Sequence, residues 1–222
     1  MTLGRKILGA AGLAMAAYAW CVRPRLMRWG ASDDEVAGPY PGVDVVPEGQ
    51  RGPTMAVTID GPPDQVWPWL VQMGGGRGGW YSWDRLDNGG RPSAREVHPE
   101  WQDLAVGDYV KYWRGSQGAV DAWQVAVLEP NRFLGLHGLT DLRLHNLDPN
   151  QPRPRGYVEG LWGFLLNELS GGRTRLVIGG YEAIRPRWLG RLYSYTPVVW
   201  IMQARTMSVL KRNVEGVAQA RR

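Results

Sequence analysis

Cysteine is nearly absent: Cys21 is the single one in 222 residues. No disulfide can close within the chain, and no cysteine-based metal site can form. Histidine is scarce as well, with three residues, His98, His137 and His145. His137, Asp141 and His145 are spaced by four, which would align them on a helix. They fall where a strand runs into a loop, so the spacing implies no metal site. Phenylalanine is down to two, against 12 Trp and 9 Tyr. The aromatic surface is therefore carried by rings with a polar handle, suited to positions where one end is buried and the other meets water or a polar ligand. No serine–histidine–acid motif is visible, since Ser82 stands between Tyr81 and Trp83 with nothing to activate it. No cofactor is implied.

Charge is unevenly placed. Residues 1–28 hold five basic side chains and no acid, and residues 185–222 hold eight and one acid, Glu215. The stretch between them has 13 basic and 20 acidic residues. An acidic body with basic ends does not suit nucleic acid, which would want the basic surface on the folded body. It does suit an anionic membrane. "ILGAAGLAMAAYAWCV", residues 7–22, is sixteen residues without a charge. That is short of the about 20 usual for a spanning helix, but Tyr18 and Trp20 sit where interfacial aromatics belong. Ala17-Tyr18-Ala19 also reads as a signal-peptidase site, although Arg23, Arg25 and Arg28 oppose export. Residues 1–28 are thus expected to be an apolar N-terminal helix anchoring the protein to a membrane with its domain in the cytoplasm; export is the alternative.

Residues 29–53, with four prolines and several acids, read as a linker or irregular arm. "TMAVTIDG" (54–61) alternates as a strand. "PPDQVWPWLVQMG" (62–74) has Val66, Trp69, Leu70 and Met73 at helical spacing and ends at Gly74. Gly74, Gly76 and Gly79 then satisfy G-x-G-x-x-G, but the helix precedes them instead of starting among them. A helix C-terminus has the wrong dipole sign for phosphate, and no G-K-[ST] follows. The glycines are expected to be a flexible exit that swings a short helix, "WYSWDRLDN" (80–88), over the rim of a cavity. Strands follow at 108–113, 122–130 and 132–139; a loop spans 140–157. A hairpin joins 158–169 to 174–184 across "SGGR". Thr196 caps and Pro197 opens a long last helix. The domain spans 54–218, with 219–222 a basic tail.

Strand, helix, short helix, antiparallel strands and a long C-terminal helix, in that order, resemble the helix-grip fold of the START/Bet v 1-like superfamily. Within it, the chain is most similar to bacterial proteins labelled SRPBCC or polyketide cyclase/dehydrase-like. The likeness is carried by "RWGASDDEV" (28–36), "TIDGPPDQVWPWLVQMGGGRGGWYSWDRLDNGGRPSA" (58–94), "PEWQDLAVGD" (99–108) and "IMQARTMSVLKR" (201–212). Gly75 departs from it, because the family often has an aromatic or apolar residue there. The resemblance covers about residues 28–215 and leaves the apolar N-terminus outside. It implies an α+β fold, a curved antiparallel sheet wrapped around the C-terminal helix, with an apolar cavity between them that in many members holds sterols, lipids or polyketides. It implies no single reaction.

The expected ligand-binding set is Trp80, Tyr81, Trp83, Trp113, Trp123, His137 and Trp162. The first function expected is binding of a hydrophobic small molecule or lipid at a membrane. The alternative is a cyclase/dehydratase-type enzyme acting on a polyketide-like substrate. Its candidate catalytic groups are Asp84 and Asp87, three apart and able to split their pKa values, and Glu182, on the inward parity of its strand. A second alternative is a membrane-tethered interaction protein. The residues alone leave open whether any reaction is catalysed.

Overall fold

The computed structural model describes residues 13, 15–113, 118–193 and 197–220. Seven strands form one antiparallel sheet among them: β1 (Gln50–Arg51), β2 (Met55–Ile59), β3 (Tyr109–Trp113), β4 (Ala119–Glu129), β5 (Phe133–Asp141), β6 (Tyr157–Leu169) and β7 (Arg173–Arg185). Their order is β1-β7-β6-β5-β4-β3, with β2 pairing β7 alongside β1. The hairpin across "SGGR" supplies the longest ladder, from Leu169↔Arg173 at the turn to Tyr157↔Arg185 at the far end. Register shifts at Val110/Lys111 and Val125/Val127 bend the other side of the sheet. The result is an α+β protein with a curved, open antiparallel sheet and a long C-terminal helix.

Both faces of the sheet are buried, and the alternation of β6 and β7 shows how. Trp162, Phe164, Leu166, Leu176 and Ile178 join one apolar cluster; Tyr157, Leu161, Leu165, Val177, Tyr181 and Ala183 join another. Successive side chains of a strand point to opposite faces, so the even residues of these strands look one way and the odd ones the other. The concave, even-numbered face is covered by helices. The helices with defined ranges are α1 (Arg23–Met27), α2 (Asp33–Ala37), α3 (Pro63–Val71), α4 (Asp84–Asp87), α5 (Arg187–Tyr193) and α6 (Pro197–Ala220). Pro63 starts α3, and Val66, Trp69 and Leu70 turn inward from it. From α6, Met207, Leu210 and Val214 are buried in the same cluster. Burying each of these side chains is worth about 2 kcal/mol. The Thr196 cap expected before α6 falls outside the described residues.

The convex face is covered by residues 29–53. Thr54 N–H donates to Met27 O and Ala56 N–H to Trp29 O, so the chain first runs along the edge of β2. Trp29 packs with the concave cluster and Ala31 with the convex one, which places the crossing of the sheet edge between them. Ser32 and Glu35 then form a capping box that starts α2. Glu35 takes two hydrogen bonds from Arg175, at 2.7 and 2.8 Å. Further on, Tyr40 is buried, donates its hydroxyl to Val177 O and accepts at its carbonyl from Tyr181. Val46 is fully buried beneath the same arm.

The N-terminal apolar segment is described only in part. Tyr18–Val22 form a π-helical turn leading into the five-residue α1. Among the described residues, no helix is long and apolar enough to cross a membrane. Residues 7–12 and 14 of the apolar segment lie outside the described residues.

Candidate functional site: the tryptophan-lined concave face

Trp162 is the centre of the concave face. It stacks on Trp80 with ring centroids 5.5 Å apart, and lies against Trp123 at 5.6 Å and Phe164 at 4.8 Å. Its indole N–H donates to Gln203 Oε1 of α6 at 3.1 Å, and the Gln203 amide reaches Met55 Sδ. Three residues of the predicted ligand-binding set, Trp80, Trp123 and Trp162, are thus brought together from a loop and two strands. Trp80 is buried, whereas Trp123 and Trp162 stay partly exposed although they point between sheet and helix.

The other predicted residues lie elsewhere. Tyr81 is buried behind the stack, where its hydroxyl donates to Trp69 O and accepts from Gln72 Nε2. Burial pushes that phenol far above its ordinary value. Trp83 is partly exposed beneath the Arg205 guanidinium, and Trp113 carries Arg91 over its ring at 4.2 Å. His137 is a correction, because it faces the convex side. It pairs with Leu161 across β5 and β6, which belongs to the convex cluster. There its Nε2 lies 3.1 Å from Glu159 Oε1, and Arg153 donates to both Glu159 oxygens. Burial acts to raise the Glu159 carboxyl, but hydrogen bonds from Arg153 and His137 outweigh it and hold it below its ordinary value.

The glycine-rich stretch is not a slack hinge. Gly74 and Gly79 pair in a β-bridge, and Gly75 N–H donates to Lys111 O on β3. Gly79 adopts φ +74°, and a Cβ there would lie 2.5 Å from Ser93 Oγ. Only glycine meets both demands. Beyond it, the chain is fastened to α6. Thr206 donates to Trp80 O, Arg205 to Ser82 O, and Ser82 to Met202 O. The expected swinging lid is instead a packed wall, because the glycines allow close backbone contact.

Of the candidate acids, Asp84 and Asp87 are neighbours and Glu182 stands apart from both. Asp84 accepts hydrogen bonds from the Ser93 backbone and hydroxyl. Asp87 is only 3% exposed, with Oδ1 lacking a partner. Burial, then the nearby Asp84 charge, pushes its carboxyl up to about 6, against opposing contributions from Ser82 and Arg205. Glu182 lies on the concave parity of β7 and is raised by burial alone. No cluster able to hold a metal occurs among the described residues. Two concavities lie away from the tryptophans. An open groove of about 280 Å³ is lined by Ser208, Lys211, Arg212, Glu215 and Gly216. A dimple of about 20 Å³ adjoins His137 and Asn146.

Sequence reasoning missed Trp200, Gln203 and Arg205. Met207, Leu210 and Val214 are the most buried line of α6. Trp200 and Gln203 extend that line at helical spacing, a signal the sequence did contain.

No protein-family profile and no curated protein matches the chain. Solved structures do. A protein from Arthrobacter aurescens is 14% identical over 82% of this chain and 92% of its own, with a TM-score of 0.44. Protein MLL2253 from Mesorhizobium loti is 19% identical over 73% of this chain and 96% of its own, with a TM-score of 0.40. DynU16, from the dynemicin biosynthetic locus, is 15% identical over 73% of this chain and 46% of its own, at 0.40. At identities and scores this low, the likenesses carry no argument.

Proposed function

We propose that this chain is a helix-grip domain of the START/Bet v 1-like kind that binds a hydrophobic small molecule or lipid at a membrane surface. The observation that carries the reading is the partial exposure of Trp123 and Trp162 on the concave face. Large rings facing inward, yet not covered, form an apolar wall with a neighbour missing. Stacking on Trp80 and the hydrogen bond to Gln203 hold Trp162 in place, so a flat ligand would meet a preorganised surface. The cyclase alternative has less support, since its carboxyls do not converge. Asp84 is engaged by Ser93, Asp87 is enclosed beside Ser82, and neither perturbs Glu182.

Gently purified protein is expected to carry an apolar molecule that solvent extraction and mass spectrometry recover. The Trp162→Ala variant, folded by circular dichroism, should lose it. Equal recovery from both proteins, or none above background from the native chain, would count against the reading.

A further inference from the structure

α4 and α6 share an exposed apolar patch on the outer side of the aromatic wall. Met207, Leu210 and Val214 turn inward from α6, so Val198, Ile201 and Arg205, spaced three and four apart, form its outer line. Trp83 lies under the Arg205 guanidinium, whose Nε donates to the Ser82 carbonyl at 3.0 Å, so the start of α4 adjoins that line. Leu86 follows on the same turn, its N–H donating to the Trp83 carbonyl. Trp83, Leu86, Val198 and Ile201 are between 37% and 59% exposed. The charged side chains that α4 and this half of α6 expose are basic, Arg85 and Arg205; Asp84 is tied to Ser93, and Asp87 is buried. From residue 183 to residue 214 the sequence has six basic residues and no acid. α1 also packs against α6, and the exposed Trp20 and Val22 lead into it.

We infer that this patch docks on an anionic lipid bilayer, with Trp83, Leu86, Val198 and Ile201 at the acyl boundary and Arg85 and Arg205 at the headgroups. The inference rests on the membrane function proposed above and names the face that meets the lipid. Tryptophan and arginine suit that boundary, since each has an apolar body and a polar or charged tip. Single exposed apolar residues need no explanation, but four on adjoining helix surfaces mark an interaction site. Basic side chains beside them favour anionic over zwitterionic lipid. Partial exposure leaves the patch too small to hold the protein at a bilayer by itself. Stable anchoring by weak elements takes two signals together, and the N-terminal segment supplies the other. Trp80, three residues before Trp83, turns inward to stack on Trp162. Docking therefore sets the aromatic wall beside the lipid, the source of an apolar ligand.

An environment-sensitive fluorophore, NBD, reports which face meets the lipid. It is attached to the full chain through Ile201→Cys, or through Val43→Cys on the convex arm, after Cys21→Ser removes the native thiol. With phosphatidylserine vesicles, emission from position 201 should rise at least about twofold and that from position 43 should stay level. Phosphatidylcholine vesicles should give a smaller rise. Leu86→Glu, which changes an exposed side chain only, should weaken binding to phosphatidylserine vesicles about fivefold. Vesicle binding with no change at position 201, equal changes at both positions, or undiminished binding by Leu86→Glu would overturn the inference and leave the membrane reading standing. A rise at position 201 with protein concentration alone, without vesicles, would overturn it in favour of a second copy of the chain. Failure of the full chain to bind vesicles would overturn the membrane reading as well.

Discussion

Replacing Asp87 with asparagine should stabilise the protein, and by an amount that depends on pH. Asp87 is 3% exposed, and burial together with Asp84 raises its carboxyl from an ordinary 3.8 to about 6. Well below pH 3.8 the group is protonated in both folded and unfolded chains and costs nothing. As pH rises, the unfolded chain gives up the proton first, so folding is progressively disfavoured until the folded carboxyl also ionises near pH 6. Above that point the full penalty persists, about 3 kcal/mol for a gap of this size. The asparagine amide of the Asp87→Asn variant would be neutral throughout, would keep an oxygen acceptor for the Ser82 side, and would not repel Asp84. Urea unfolding of both proteins at about pH 4 and pH 8 reads the effect. The variant should gain up to about 3 kcal/mol on the native chain at the higher pH and little at the lower. Comparing the two proteins removes the contributions of other groups, such as Glu35 and Glu159, whose lowered values act with the opposite sign. A difference that does not change between the two pH values, or a native chain that is the more stable at pH 8, would refute this account of Asp87.

Two further outcomes are expected. Arg175→Ala should leave Glu35, only 20% exposed, without its ion-pair partner and held by the Ser32 N–H alone. It should cost about 2 kcal/mol and speed proteolysis within residues 31–48; unchanged cleavage would show that the arm is held by its apolar contacts alone. The full chain should sediment with vesicles containing phosphatidylserine, and less so in high salt. Removing residues 1–22 spares the contact of Met27 with Thr54 and should abolish sedimentation; retention by the shortened chain would place membrane binding elsewhere.

Much of the architecture was legible along the chain. Alternation in "TMAVTIDG", the turn at "SGGR" and the helical spacing of Val66, Trp69 and Leu70 mark elements close to those observed. The G-x-G-x-x-G match could be set aside on order alone, because a helix precedes the glycines. The candidate site was legible only in part. Trp80, Trp123 and Trp162 could be picked out as amphipathic rings, but not as a stack, since they come from segments far apart in sequence.

Strand and helix periods are set by steric and hydrogen-bonding preferences among near neighbours, so the amino-acid sequence by itself determined them. Faces and partners are set by long-range contacts. Glycines at 74, 75 and 79 permit either slack or close packing; the carbonyl of Lys111 and the hydroxyl of Ser93 decided for packing. His137 lies on a strand that is apolar on both sides, so alternation could not tell which side meets α6; pairing with β6 and burial beside Glu159 decided that it is the other. Asp84 and Asp87 are close in sequence, yet enclosure by neighbouring chain segments buries one and leaves the other hydrogen-bonded to Ser93. Burial and pairing depend on the distant residues that arrive to enclose a group, and only the tertiary structure brings them there.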